Sequence, residues 1–252
     1  MTSSEAILRV DALAMSFGAH SVLRNVSFEI PPRQIVGVMG PNGAGKTTLF
    51  NVVSGVYRPT AGSVRFGDTE LTQQSTWEIC RAGIGRTFQS GRPFLNITAL
   101  ENVLVGLHYG ERHRRLGRRD AAIEALRILE FVGLAQVANR LVSGLNLMER
   151  KFVELARVLA TNPRILLLDE LLAGLNPIDL APAIEIIRRV RDEKGISVLW
   201  IEHIMKVLME TCETVIVLHH GTKLAEGVPS VIAQDQTVAE AYFGRKGARR
   251  LG

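Results

Sequence analysis

Ile35-Val36-Gly37-Val38-Met39-Gly40-Pro41-Asn42-Gly43-Ala44-Gly45-Lys46-Thr47-Thr48-Leu49-Phe50-Asn51-Val52-Val53 reads as a strand, a loop and a helix in immediate succession. The apolar run 35–39 has the length of a buried strand, and a helical pattern begins at Lys46. Between them Gly40, Gly43 and Gly45 allow backbone conformations closed to other residues, so successive N–H groups can converge on phosphate oxygens beside a helix N-terminus. Pro41, Asn42 and Ala44 fill the same loop. Lys46 adds a mobile positive charge for the β and γ phosphates, and the Thr47 hydroxyl, followed by Thr48, is placed to ligate Mg²⁺. The spacing G-x-x-x-x-G-K-[ST] arises by accident in roughly one chain of this size in a hundred. A strand directly before it makes accident rarer.

Outward from that loop the chain alternates strands and helices. Spacing between Ile7 and Ile30 is strand-like, with a turn at Phe17-Gly18-Ala19-His20, which reads as an antiparallel β layer. Pro59-Thr60-Ala61-Gly62 stops the first helix and Ser63-Val64-Arg65-Phe66-Gly67 returns to strand. From Pro93 to Leu159 the pattern is mostly helical, with Ala121 to Leu129 placing apolar groups three and four residues apart. Ile165-Leu166-Leu167-Leu168-Asp169 is a continuous apolar run, too short for a buried helix and typical of a parallel strand covered on both faces. A helix near Leu180–Asp192, a strand Ser197–Ile201, a helix near Met205–Glu210 and a strand Val215–Leu218 continue the alternation. Ligands of such sheets gather beyond the carboxyl ends of the strands, where Asp169, Glu170, Glu202 and His203 all fall.

The chain has 252 residues, enough for one large α/β unit with an embedded subdomain or for two small domains. Charges interrupt its apolar residues everywhere, so no run approaches the ~20 residues of a membrane span. Met1 to Glu5 carry neither a basic segment nor an apolar region of a secretory signal. Cys80 and Cys212 form no C-x-x-C and read as two buried thiols. The net charge of +5 raises the question of nucleic acid. Its densest cluster, Arg112-His113-Arg114-Arg115 with Arg118 and Arg119, has no interleaved aromatics for base stacking, so it reads as a solvated face or one near lipid headgroups. Arg245, Lys246, Arg249 and Arg250 read as a frayed tail.

Asp169 can hold Mg²⁺ directly or through water. Glu170, next to it, can take a proton from a water in line with a γ phosphate, which favours hydrolysis over transfer to a second substrate. Gln89, in Arg86-Thr87-Phe88-Gln89, is a neutral group able to ligate Mg²⁺ or orient water from a movable loop. His203, after Trp200-Ile201-Glu202, can donate to a γ-phosphate oxygen or to the attacking water.

These elements in this order resemble the ATP-binding subunits of ABC transporters over nearly the whole chain, Ile7 to Gly227. The resemblance implies a P-loop NTPase (RecA-like) α/β core with an N-terminal antiparallel β subdomain and an inserted α-helical subdomain. The whole chain, 1–252, is then one ABC ATPase domain, with 1–92 and 160–252 forming the core and β subdomain and 93–159 the helical subdomain. It matches the Walker A loop to Gly40–Thr48, the Q-loop to Gln89, Walker B to Ile165–Asp169 with Glu170 as catalytic carboxylate, the D-loop to Ala173–Asn176 and the switch histidine to His203. The family's adenine-stacking aromatic corresponds to Phe17. Its signature Leu-Ser-Gly-Gly-Gln aligns with Leu145-Asn146-Leu147-Met148-Glu149, where Ser has become Asn and both glycines are gone. Asn146 can still offer an amide N–H to a γ phosphate across a dimer interface. A working site of unusual geometry and a site that hydrolyses slowly without a partner chain both follow from this departure.

Phrases such as Leu100-Glu101-Asn102-Val103-Leu104-Val105-Gly106 and Ile201-Glu202-His203 look most like ATPases of branched-chain amino-acid importers, a look shared by importers of urea and other amides. The resemblance implies ATP and Mg²⁺ as cofactors and a peripheral location on the cytoplasmic face of the cell membrane. The implied partners are a second ABC ATPase subunit, identical or related, membrane-spanning permease subunits and, indirectly, a periplasmic or extracellular solute-binding protein, with no nucleic acid. The rival readings are an ABC-type ATPase of a soluble regulatory or DNA-associated complex, and a subunit that binds ATP with little hydrolysis of its own. A GTPase would need an Asn-Lys-x-Asp sequence, and none occurs.

Overall fold

A computed structural model describes residues 6–88, 93–110 and 116–248. The first elements are β1 (Leu8–Phe17), β2 (His20–Ile30), β3 (Ile35–Met39), α1 (Lys46–Val53), β4 (Ala61–Phe66), β5 (Thr69–Glu70), α2 (Thr76–Ala82) and β6 (Ile84–Arg86). Helices α3 (Ala99–Tyr109), α4 (Arg118–Phe131) and α5 (Leu147–Ala160) follow, with two short 3-10 turns between the last two. The chain then runs through β7 (Ile165–Asp169), α6 (Pro177–Asp192), β8 (Ser197–Ile201), α7 (Met205–Thr211), β9 (Thr214–His219), β10 (Thr222–Gly227), α8 (Pro229–Gln234) and α9 (Gln236–Ala248).

Two sheets result. The antiparallel one has the order β2-β1-β4-β5, and the larger one the order β10-β9-β3-β8-β7-β6. In the larger sheet β9, β3, β8, β7 and β6 run parallel, and β10 closes one edge antiparallel to β9. Its register sets Ile35 opposite Val198 and Asp169 opposite Ile201, so the ends of β3, β7 and β8 share one border.

Alternation along each strand sorts side chains into two cores. Val36, Val38, Leu167, Leu199 and Leu218 face one way, joining Leu49 and Phe50 of α1 and Leu8, Leu13 and Phe28 of the antiparallel sheet. Leu166, Leu168, Val198, Trp200 and Val217 face the other way, onto Val103, Phe152, Leu155, Ile187 and Leu208 of the helices. Each such side chain is buried, a stabilisation of about 1.5–3 kcal/mol apiece by transfer from water. Strands covered on both faces explain the uninterrupted apolar runs of the sequence.

Helix starts follow side-chain chemistry. Thr98 with Glu101 caps α3, and Asn146 with Glu149 caps α5, each as a reciprocal capping box. Pro177 occupies the first turn of α6. Helix α1 is different: its cap is Gly45 in the left-handed conformation, and no side chain accepts from its first N–H groups.

The sequence reading misses α2, β6, β10, α8 and α9. Arg245 and Lys246, read as part of a frayed tail, lie within the span of α9, while Arg249 and Arg250 are outside the described residues, as are Arg112 to Arg115. Cys212 is buried, as the sequence implied, but Cys80 is only half-buried. No described helix is long and apolar enough to cross a membrane.

Helices α3 and α5 touch at Gly106, where an added Cβ would stand 2.1 Å from the Arg157 carbonyl oxygen and 2.8 Å from the Ala160 Cβ. Gly106→Ala is expected to destabilise the chain by about 1–3 kcal/mol through overpacking, read as a lower urea midpoint at unchanged slope.

Candidate active site

Residues from three strand ends meet at one cavity. It is lined by the loop Asn42 to Thr48, by Glu170 after β7, by His203 after β8, and by His20 and Val22 of β2. Gly40, Gly43 and Gly45 have φ of 153°, 78° and 101°, values that L side chains rarely adopt. At Gly40 space also forbids a side chain, because a Cβ would lie 2.2 Å from the Leu218 carbonyl oxygen. The loop therefore seats its backbone directly on the end of β9. Tyr242 of α9 hydrogen-bonds with the Gly40 backbone, and burial pushes its phenol up to about 12.

Lys46 folds back onto the loop, its Nζ donating to the carbonyl oxygens of Gly40 at 2.6 Å and Pro41 at 3.1 Å. Burial lowers its pKa, and the nearby Glu170 and Asp169 act in the opposite direction. The uncapped start of α1 and this ammonium together could receive an anion, with Thr47 exposed beside them.

Asp169 is buried beneath the cavity. Its Oδ2 accepts from Arg86 Nη2 at 2.9 Å, whereas its Oδ1 is buried without a hydrogen-bond partner. Burial raises its pKa against the pull of the Arg86 guanidinium. A buried carboxylate oxygen without a hydrogen-bond partner suits a hard cation. Among the described residues no three His, Cys, Asp or Glu side chains gather for a metal. Such a site fits Mg²⁺, which is held by one or two protein oxygens together with substrate phosphates.

Glu170 stands in the left-handed region with φ 53°. Its Oε1 accepts from His203 Nε2 at 2.6 Å, and its side chain is 7% exposed where that of His203 is 49% exposed. A nearly buried carboxylate thus meets solvent only on the side of the imidazole and the phosphate loop.

Sequence reasoning overlooked Arg86 except as part of a phrase. Its Nη1 donates to Asn51 Oδ1 at 2.8 Å and Ser54 Oγ at 2.7 Å, both at the end of α1, while Nη2 holds Asp169. The guanidinium also lies over the Phe50 and Phe88 rings, 5.7 and 4.8 Å from their centroids. One buried cation thereby ties α1, β6 and β7 together. A sequence cannot distinguish it from a solvated arginine.

The remaining expected residues are dispersed. Gln89 lies outside the described residues. Phe17 does not line the cavity; it is half-exposed and packs edge-on against Tyr57 at 5.2 Å, whereas His20, from the turn beside it, does line the cavity. Asn146 caps α5 away from this cavity: its Oδ1 accepts from the Glu149 N–H at 2.9 Å and its own N–H donates to Glu149 Oε2 at 2.9 Å. Its Nδ2 takes no part in that cap.

The chain is similar to known proteins in sequence and in fold. The family model described as ABC transporter matches residues 23–173. The high-affinity branched-chain amino acid transport ATP-binding protein BraF of Pseudomonas aeruginosa is 38% identical, covering 96% of this chain and 99% of its own. LivG of Escherichia coli, with the same description, is 38% identical over the same shares. Among solved structures, the ADP conformation of an ATP-binding cassette of an ABC transporter superposes with TM-score 0.85 at 30% identity, over 95% of this chain and 99% of that one. A dimeric cassette in a post-hydrolysis state bound to ADP and Pi superposes with TM-score 0.79 at 25% identity, over 88% and 98%.

Lys46→Ala removes the one ammonium of the phosphate loop. ATP affinity is expected to fall about ten- to hundredfold, the scale of a charged hydrogen bond, as read by equilibrium dialysis.

Proposed function

Since the chain belongs to the ABC transporter family of ATP-binding subunits, we propose that it hydrolyses ATP to drive import of branched-chain amino acids or a related small polar solute. It works at the cytoplasmic face of the cell membrane, bound to permease subunits and to a second ATPase subunit. A solute-binding protein outside the membrane delivers the cargo to the permease.

The observation that carries the reading is the 2.6 Å contact of His203 Nε2 with Glu170 Oε1 on the wall of the phosphate-loop cavity. An anion entering that cavity meets the N–H groups of Gly43, Gly45 and the start of α1. Lys46 exchanges the carbonyl oxygens of Gly40 and Pro41 for phosphate oxygens, which are stronger acceptors. Mg²⁺, held by Thr47, Asp169 Oδ1 and, from its loop, Gln89, would neutralise charge on the β and γ phosphates. Glu170 takes the proton of a water aligned with the γ phosphorus, and His203 orients that carboxylate while its exposed edge faces the phosphate. Phe17 and His20, on either side of one turn, border the region where the base would lie.

Two subunits face each other head to tail, so that Asn146 of one closes the nucleotide held by Gly40 to Thr48 of the other. Closing moves the helical segment 93–159 and the permease attached to it, and phosphate release separates like charges and reopens the pair. A second reading has one specific support. The Asn146 N–H and Oδ1 are both engaged by Glu149, so of this asparagine it is the Nδ2 amide that can turn to the facing nucleotide. On that reading the isolated chain binds ATP and turns over slowly until a permease or related subunit completes the site.

Glu170→Gln is expected to keep ATP affinity within about threefold and to lower the rate of phosphate release at least a hundredfold, the scale of a lost general base. Comparing wild type alone and with its permease subunits separates the readings: a rate already high in isolation contradicts the second.

A further inference from the structure

Three buried charged side chains behind the cavity have no part in the scheme so far. Lys151 and Glu154 of α5 are 9% and 1% exposed, and Glu202, after β8, is 3% exposed. Charges are not carried into an interior without a compensating partner. Their partners are the backbone segments that carry the reacting groups.

Glu170 has a Cβ and yet holds φ at 53°, a conformation that persists only where its surroundings over-determine it. Its N–H donates to the Ile201 carbonyl at 2.9 Å, at the end of β8. Its carbonyl oxygen accepts from Lys151 Nζ at 3.3 Å and from the Ala173 N–H at 3.2 Å. Two residues after Glu170, the Leu172 N–H donates to Glu202 Oε1 at 2.7 Å, and the Trp200 indole N–H donates to the same oxygen at 3.3 Å. Burial disfavours the Lys151 charge, while Glu202, Glu154 and Glu170 favour it. Glu154, one turn along the same face of the helix, accepts the Phe88 N–H at 2.9 Å.

Lys151 thus reaches the peptide of the hydrolytic carboxylate from a helix that begins at Asn146, five residues earlier in the chain. We propose that Lys151 is a positioning residue for hydrolysis: its hydrogen bond to the Glu170 carbonyl locks that residue in the left-handed conformation and makes the aim of the carboxylate depend on the seating of α5. The helix whose first residue faces the second subunit's nucleotide then also sets the base of its own subunit. Each site consequently senses whether the other is closed. This inference rests on the assignment of Glu170 as the base.

Both ideas are tested together by phosphate release, ATP affinity and thermal unfolding of Lys151→Met, Lys151→Arg, Glu170→Gln and the double variant Lys151→Met/Glu170→Gln. Lys151→Met is expected to lower kcat about ten- to hundredfold with ATP affinity within about threefold, and Lys151→Arg to restore most of the rate. In the Glu170→Gln background the same Lys151→Met change is expected to cost less than about twofold, because the group it positions is already gone. Normal turnover by Lys151→Met beside an inactive Glu170→Gln overturns the positioning role and leaves the base assignment standing. An equal further loss in the double variant also overturns it. An active Glu170→Gln overturns the base assignment itself. Should Lys151→Met not fold, Lys151→Gln, one bond too short for a carbonyl already at 3.3 Å, takes its place: a roughly tenfold or larger fall in kcat that is absent in the Glu170→Gln background supports positioning, and normal turnover overturns it.

Discussion

A Cβ at Gly40 would lie 2.2 Å from the Leu218 carbonyl oxygen, and that lack of room fixes where the phosphate loop leaves the sheet. The loop must cross the end of β9 with bare backbone, then turn through Gly43 and Gly45 into a helix whose first N–H groups no side chain claims. The parallel register of β3, β8 and β7 does the rest, because it carries Asp169, Glu170 and His203 to the same border without any long reach. Two apolar cores, one on each face of that sheet, hold the border rigid. The candidate reacting groups thus sit at strand ends, and helices α1 and α5 close on them.

Charge placement is the second constraint. Arg86 binds Asp169 and the end of α1 in the dry space under the loop, and Lys151 and Glu202 do the same for the peptides around Glu170. Pairs of this kind add little net stability, since desolvation offsets their attraction, yet removing one partner strands the other. They fix geometry instead. A left-handed Glu170 is the clearest sign that the surrounding structure, and not local preference, decides where that carboxylate points.

Much of this was legible in residue order. Ile35–Met39 and Ile165–Asp169 announce themselves as strands because both faces are covered, and the glycines of the phosphate loop are needed for their backbone angles. What the sequence hides is tertiary in origin. β6 has three residues, with a glycine in the middle, and shows no period that a pattern could register. Lys151 and Glu154 sit three apart on a helix and read as a solvated face, although both are buried against peptides distant in the chain. Phe17 packs edge-on against Tyr57, and His20, across the turn from it, lines the cavity, a neighbour that residue order does not single out. At Asn146 the reverse holds. The motif departs from the familiar signature, and the capping box with Glu149 shows what the asparagine does locally.

On the proposed function, the loop 40–48 with Asp169, Glu170 and His203 would direct attack by water on a terminal phosphate. A single turnover of ATP by the purified protein in water enriched in oxygen-18 tests that statement at the reacting atom. One heavy oxygen is expected in the released inorganic phosphate and none in the ADP. Heavy oxygen in the ADP, or consumption of ATP with no labelled phosphate, would contradict it.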